Sequence, residues 1–266
     1  MDLAMSTRSF DCTIDAGLAQ IVLNQADRGN PIDGEFCREF SLCVAELSER
    51  ADVRSVLLSA RGRLFSVGGD LTSLVKQGDA LPRTIKAWTA DLHAAIARMV
   101  RMRAPVVAAV HGNVAGGSVS LMAAADLVVI AESARISSAF AKIGFSPDSG
   151  STTTVTRRIG MARARRFFLL AETLDARTAL SLGLVDFVVP DGDVQREAER
   201  IARELAAGPT EAYSAIKRLF SQTLDRSLES QLEDEAQTLA TIARTADARE
   251  GVKSFVEKRK PVFTGR

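Results

Sequence analysis

The sequence predicts an α/β fold with parallel strand pairing. Three observations carry this: valine-rich apolar runs too short for helices, glycine bends directly after them, and helical segments in between. The clearest instance runs from Ala104 to Asp126. Val106 to Val110 reads as a strand buried on both faces, and it stops at His111 and Gly112. Gly116 and Gly117 then precede an alanine-rich helical segment, Ser118 to Ala125. The first turn of a helix has unpaired N–H groups and the positive end of its dipole. Glycines let a ligand approach that backbone closely, so this bend is expected to hold a negative oxygen.

Composition bounds the possibilities. The chain has 266 residues, 46% hydrophobic and 25% charged, enough for one large core or a core plus an appendage. A formal net charge of +1 shows no bias toward nucleic acid or an acidic partner. Cys12, Cys37 and Cys43 cannot all pair and form no close cluster, so reduced thiols in a cytoplasmic protein are expected. The start, MDLAMSTRSF, lacks a signal-peptide apolar region, and no run approaches a membrane span. His93 and His111 have no ligand-spaced partners, so no metal is expected.

From the beginning, Phe10 to Leu23 alternates weakly, with Ala19 to Leu23 its best strand. A polar loop with the Asn30-Pro31 turn signal leads to a helix from about Asp33 to Leu47. Arg28 on that loop is placed to meet a phosphate, against the plainer reading of a solvated surface charge. Ser55 to Ser59 is a buried strand, followed by Gly68 and Gly69, with Asp70 as a cap for the segment beginning at Leu71. Two such bends can supply one N–H apiece to a single oxygen, the requirement of an oxyanion hole; the bland alternative is two structural turns. The stretch from Thr72 to Ala87 is expected to form a loop.

Thr84 to Arg103 reads as an amphipathic helix with Trp88, Leu92, Ile96, Met99 and Val100 on its apolar stripe, and His93 beside it as a structural residue. Asp126 to Ala131 is another strand. In Pro147-Asp148-Ser149-Gly150 the proline fixes the backbone just before a carboxylate. Asp148 is then either a turn or N-cap residue, or a carboxylate on a rigid loop able to move a proton. Ser151 to Arg158, Ala162 to Leu170 and Ala176 to Leu182 read as helices, Leu184 to Val189 as the last strand, and Asp191 to Ala207 as a charged helix. Gly208-Pro209 breaks the pattern. Beyond it Glu211 to Leu224, Leu228 to Thr245 and Gly251 to Lys258 are helical with no strands between, so residues 1–207 are expected to form the core and 208–266 a helical appendage.

Other chemistries fit poorly. The G-x-G-x-x-G spacing of dinucleotide sites and the Gly-Lys-Ser/Thr of a P-loop are absent. Tyr213 and Lys217 form a Y-x-x-x-K pair without a nucleotide turn, and read as helix-face residues. Ser118 or Ser120 as a nucleophile would need His93 or His111 as its base, and no G-x-S-x-G elbow is present.

FSVGGDL, then HGNVAGGSVSLMAAADLVVIAE, then FAKIGFSPDSGSTTTVTRRIG, and finally FVEKRKPVF together resemble the crotonase superfamily of enoyl-CoA hydratases and isomerases. The likeness covers nearly the whole chain. It implies a spiral of ββα units, a C-terminal helical trimerisation region, and a homotrimer or dimer of trimers. It implies an acyl-CoA thioester as substrate, with coenzyme A entering as part of it rather than as a cofactor, and with the thioester oxygen held by the N–H groups of Gly69 and Gly117. It further implies that Ser66 and Gly68 line the coenzyme A path, and that Phe255 and Lys258 reach the adenine and 3′-phosphate; Lys258 alone would read as part of a solvated basic tail.

The departures from this pattern narrow the chemistry. Hydratases of the superfamily carry two glutamates, and here Ser120 and Phe140 fall at those positions. Asp148 remains, in a PDSG turn resembling that of isomerase-type members. Hydration asks for a group to activate water and usually a second to protonate carbon, whereas a double-bond shift can be run by one base. The expectation is an enoyl-CoA isomerase with Asp148 as its base; a hydratase and a non-catalytic binder of CoA thioesters are the alternatives.

Overall fold

The computed structural model describes residues 4–266. In chain order the elements are β1 (Ala4–Ser6), β2 (Phe10–Asp15), β3 (Leu18–Leu23), β4 (Pro31–Ile32), α1 (Gly34–Glu49), β5 (Ser55–Ala60), β6 (Gly68–Gly69), α2 (Leu71–Val75), α3 (Leu81–Arg101), β7 (Val106–Val110), β8 (Val114–Ala115) and α4 (Gly117–Ala123). They continue with β9 (Leu127–Ala131), β10 (Arg135–Ser137), α5 (Ser151–Ile159), α6 (Met161–Leu169), β11 (Thr173–Asp175), α7 (Ala176–Leu182), β12 (Phe187–Val189), α8 (Val194–Ala206), α9 (Thr210–Gln222), α10 (Leu228–Ile242) and α11 (Ala246–Val256).

The main sheet has the order β1-β2-β3-β5-β7-β9-β12. From β3 onward every pairing is parallel, as the buried valine runs predict. Phe10 to Leu23 is two antiparallel strands rather than one weak strand. Ala16 at φ 47° and Gly17 at φ 84° make the tight left-handed turn that joins them. Two small sheets sit at the strand ends: β4 with β6, and β8 between the ends of β6 and β10, with β11 outside β10.

The expected loop from Thr72 to Ala87 is mostly helical. Asp70 accepts the Ser73 N–H at 3.0 Å and starts α2. α3 then begins at Leu81, because Pro82 suits a first turn where no N–H is needed. Leu184 to Val189 shortens to a strand of three residues, with Leu184 and Val185 packed into the core instead. β8, β10 and β11 have two or three residues each, too short for any periodicity to reveal.

Three helices, α9 to α11, follow Gly208. Lys217 fastens α9 to the sheet: its ammonium lies buried 2.6 Å from Asp126 Oδ2 and donates to Ala104 O at 2.9 Å. Burial pushes the lysine's pKa down, and Asp126 opposes that. Tyr213 and Lys217 are thus structural. Lys217→Met removes one partner of Asp126, whose Oδ2 keeps the Val106 N–H at 2.7 Å, and is expected to cost about 1 kcal/mol, read from the midpoint of urea unfolding. α10 and α11 leave Leu232, Leu239, Val252, Phe255 and Val256 more than half exposed.

Candidate active site

Gly68 explains why two bends far apart in sequence meet. Its φ of +82° suits glycine, and a Cβ built there would overlap Ala115 O and lie 3.1 Å from Ala115 C. β6 therefore presses backbone to backbone against the end of β8. Ser118 holds the contact, donating to Ala115 O at 2.6 Å and accepting the Ala115 N–H at 3.2 Å. Gly69 follows with nothing within 4 Å of its Cβ direction, so it faces open space. Gly117 is the first residue of α4, where an N–H has no intrahelical acceptor.

Ser66 does not face this space. It is 1% exposed, its hydroxyl donates to Asn30 O at 2.7 Å and accepts the Gly68 N–H at 3.1 Å, and its carbonyl accepts from Ala115 N at 3.2 Å. Ser66 therefore braces the bend, and Gly68 is its buried point of contact with Ala115.

Asp148 is carried to the same place by the loop before α5. It is not an N-cap, since Gly150 occupies that position. Its Oδ1 accepts from Ser149 Oγ at 3.0 Å and lies 3.4 Å from where a Gly117 Cβ would stand. Burial raises the Asp148 pKa above the ordinary value, with the Ser149 hydroxyl and His93 pulling the other way.

Ser149 is fixed from two other elements. Its backbone is left-handed at φ 55°, its N–H donates to His93 Nε2 at 3.0 Å, and its carbonyl accepts from Ser120 Oγ. His93 is thus more than a packing residue on α3. Nothing in the sequence could connect it to a turn 56 residues away. Ser120 is fully buried and spent on holding the turn. A nucleophilic role for Ser118 or Ser120 has no base: His93 serves Ser149, and His111 Nε2 sits 2.7 Å from Gly62 O.

Gly69, Gly117, Asp148 and Ser149 line one cavity of about 430 Å³. Its wall includes Ile32, Cys37, Leu74, Ile85, Trp88, Leu92, Phe140 and Phe145 with Gly69, Gly117 and Asp148. Asp148 is the one carboxylate among the lining residues. Cys37 stays a thiol, because burial foremost and then the charges of Asp33, Asp91 and Asp148 push its pKa up to about 12. Phe140 contributes an apolar wall.

A second cleft, of about 520 Å³, shares Val67, Gly69 and Leu71 with the cavity and adds Arg28 and Lys76. Arg28 lies 2.9 Å from Asp33 and 2.7 Å from Asp70, so its charge is compensated by two carboxylates. Lys76, which the sequence reading missed, is exposed. Phe255, 84% exposed, and Lys258 line neither space within this chain. Among the described residues no group of three His, Cys, Asp or Glu could hold a metal, and no helix is long and apolar enough to cross a membrane.

Residues 13–266 match the family model described as Enoyl-CoA hydratase/isomerase. The chain belongs to this family. Its crotonase-superfamily membership is also visible in relatives and solved structures. It is 37% identical to a Rhodobacter capsulatus protein named "Probable enoyl-CoA hydratase", over 98% of this chain and 100% of that one. It is 32% identical to the 1,2-epoxyphenylacetyl-CoA isomerase of Escherichia coli, over 95% of this chain and 97% of that one. A crystal structure from Mycobacterium abscessus, titled for an enoyl-CoA hydratase/isomerase, superposes with a TM-score of 0.91 at 31% identity, each chain covered in full. The protein is therefore an enzyme of the enoyl-CoA hydratase/isomerase family with the crotonase fold and a C-terminal helical region.

Proposed function

We propose that this family member is an enoyl-CoA isomerase. The supporting observation is a single carboxylate, Asp148, beside Gly117 in a largely apolar cavity; the resemblance adds that Ser120 and Phe140 fall where hydratases carry their glutamates. The thioester oxygen accepts from the N–H groups of Gly69 and Gly117. Asp148 takes a proton from C2 of a 3-enoyl thioester, and the C2–H electron pair forms an enolate with its charge on that oxygen. As the enolate collapses, C4 takes the proton back from Asp148, leaving the 2-enoyl product with no net change in atoms. A raised pKa suits both steps, since the acid formed must return its proton near neutral pH.

Coenzyme A extends from Gly69 into the neighbouring cleft, where Lys76 meets its phosphates beside the carboxylate-paired Arg28, while Phe255 and Lys258 act from a neighbouring subunit of a homotrimer or dimer of trimers. The exposed apolar residues of α10 and α11 support residues 208–266 as an assembly region. Sedimentation should give a trimer or hexamer mass; a monomer ends that part of the reading.

The test is incubation with 3-enoyl-CoA and 2-enoyl-CoA, following alkene position and hydration separately. Migration without 3-hydroxyacyl product supports the isomerase. Net hydration of 2-enoyl-CoA favours the hydratase reading, and binding with neither product favours a non-catalytic CoA-thioester binder. Since the base works ionised, kcat/KM is expected to fall as pH drops through the raised Asp148 pKa, and a pH profile measures it. His93→Ala removes the acceptor that fixes Ser149 and is expected to lower kcat about tenfold with KM little changed, while His93→Gln restores most of it.

A further inference from the structure

Trp88 is the largest side chain on the cavity wall, and its seat depends on a glycine. A Cβ built on Gly34 would overlap the indole Nε1 and lie 2.9 Å from Cδ1 and from Cε2. Gly34 is the first residue of α1 and its φ lies outside the left-handed region, so nothing in the backbone demands glycine there. What glycine provides is room for the ring to lie back against α1.

The surroundings place this seat on the acyl side of the site. Ile32, two residues before Gly34, has its Cδ1 3.7 Å from the Cβ direction of Gly117. Cys37, one turn further along α1, shares the wall with Trp88 and Leu92 and senses the charge of Asp148. The cleft carrying Arg28 and Lys76 includes neither Trp88 nor Cys37. A chain leaving the thioester carbon past Asp148 therefore runs against Ile32, Cys37, Leu92 and the indole, all of them apolar surface.

We infer that the Gly34–Trp88 pair is the specificity gate for the acyl group. With the ring seated on Gly34, the site takes apolar acyl chains, and the indole forms the wall that the chain meets. This rests on the cavity being an acyl-CoA site, as proposed above. Pushing the ring off α1 with Gly34→Ala shortens the acceptable chain, and replacing the ring with Trp88→Leu lengthens it. Alanine suits a first-turn helical position, so Gly34→Ala probes the indole rather than the helix.

Saturated butyryl-, octanoyl- and dodecanoyl-CoA serve as probes, because their binding needs no turnover. Kd is measured calorimetrically for the wild type and both variants. As Trp88 is the single tryptophan of the chain, its emission reports on the wild type and Gly34→Ala directly. The expected result is a shift of wild-type emission on adding octanoyl-CoA. The ratio of dodecanoyl to butyryl Kd should rise roughly tenfold in Gly34→Ala and fall by a similar factor in Trp88→Leu. An unchanged ratio in both variants, with normal binding, overturns the gate alone; so does tighter dodecanoyl binding by Gly34→Ala, which would mean the ring swings away from the cavity. Failure of the wild type to bind any of the three thioesters overturns the acyl-CoA site and the gate together.

Discussion

Replacing Asp148 by Asn is expected to lower 3-enoyl-CoA isomerisation about 10²- to 10⁴-fold, the usual worth of a positioned base. Binding of a saturated acyl-CoA should change by no more than about twofold, because the amide keeps the shape and the acceptor for Ser149 Oγ. Stability should move in the opposite sense to activity. The folded pKa of Asp148 is raised, so its favourable contribution is present below the unfolded carboxylate pKa and is lost as pH rises through the folded value. At neutral pH the ionised group opposes folding, and Asp148→Asn should have a higher Tm than the wild type. The two would converge on acidification. Unchanged turnover removes Asp148 from the mechanism, whereas a lower Tm at neutral pH means that other contacts of the carboxylate outweigh its burial.

Gly68→Ala is expected to be the most damaging substitution in the site that touches no substrate. The added methyl meets the Ala115 carbonyl, and the backbone at φ +82° disfavours alanine even where space exists. A loss of about 3 kcal/mol is expected on urea unfolding. In protein that still folds, parting the two bends should cost a further 10²- to 10³-fold in kcat, since one donor no longer reaches the oxyanion. Gly69→Ala is the control. Its Cβ direction is open and its φ is not left-handed, so Tm should stay near the wild-type value while the methyl enters the cavity. Equal Tm for all three proteins would refute the close approach at Gly68.

The two expectations test different halves of one arrangement. Asp148 supplies a charge whose burial is unfavourable, and the Ser149 hydroxyl with the bonds from His93 and Ser120 holds it in place. Gly68 supplies no chemistry and lets the bend carrying Gly69 pack against the Ala115 backbone just before Gly117. The first is a local electrostatic question, the second a steric one, and neither variant substitutes for the other.

Much of this was legible along the chain. The run Val106–Val110 became a strand with the same bounds, because a short β-branched segment flanked by glycine has few alternatives. Asp33 and Asp70 cap α1 and α2 as their side chains allow, and glycines 68–69 and 116–117 stand at the starts of α2 and α4. The small strands β8, β10 and β11 escaped, being set by pairing with distant partners rather than by their own residues. So did the helical character of the stretch before Ala87, where the signal was a cap and a first-turn proline rather than a period.

The sequence by itself determined the α/β class, the family, the two glycine bends and the presence of one acid in a rigid turn, because periodicity, backbone permissiveness and residue chemistry are local properties. Only the tertiary structure decided that Ser66 is a brace, that His93 and Ser120 hold the turn bearing Asp148, and that Trp88 rests on Gly34. Each of those is a contact between residues far apart in the chain, fixed by how the sheet and its helices pack, and no local pattern encodes which distant atoms come within 3 or 4 Å.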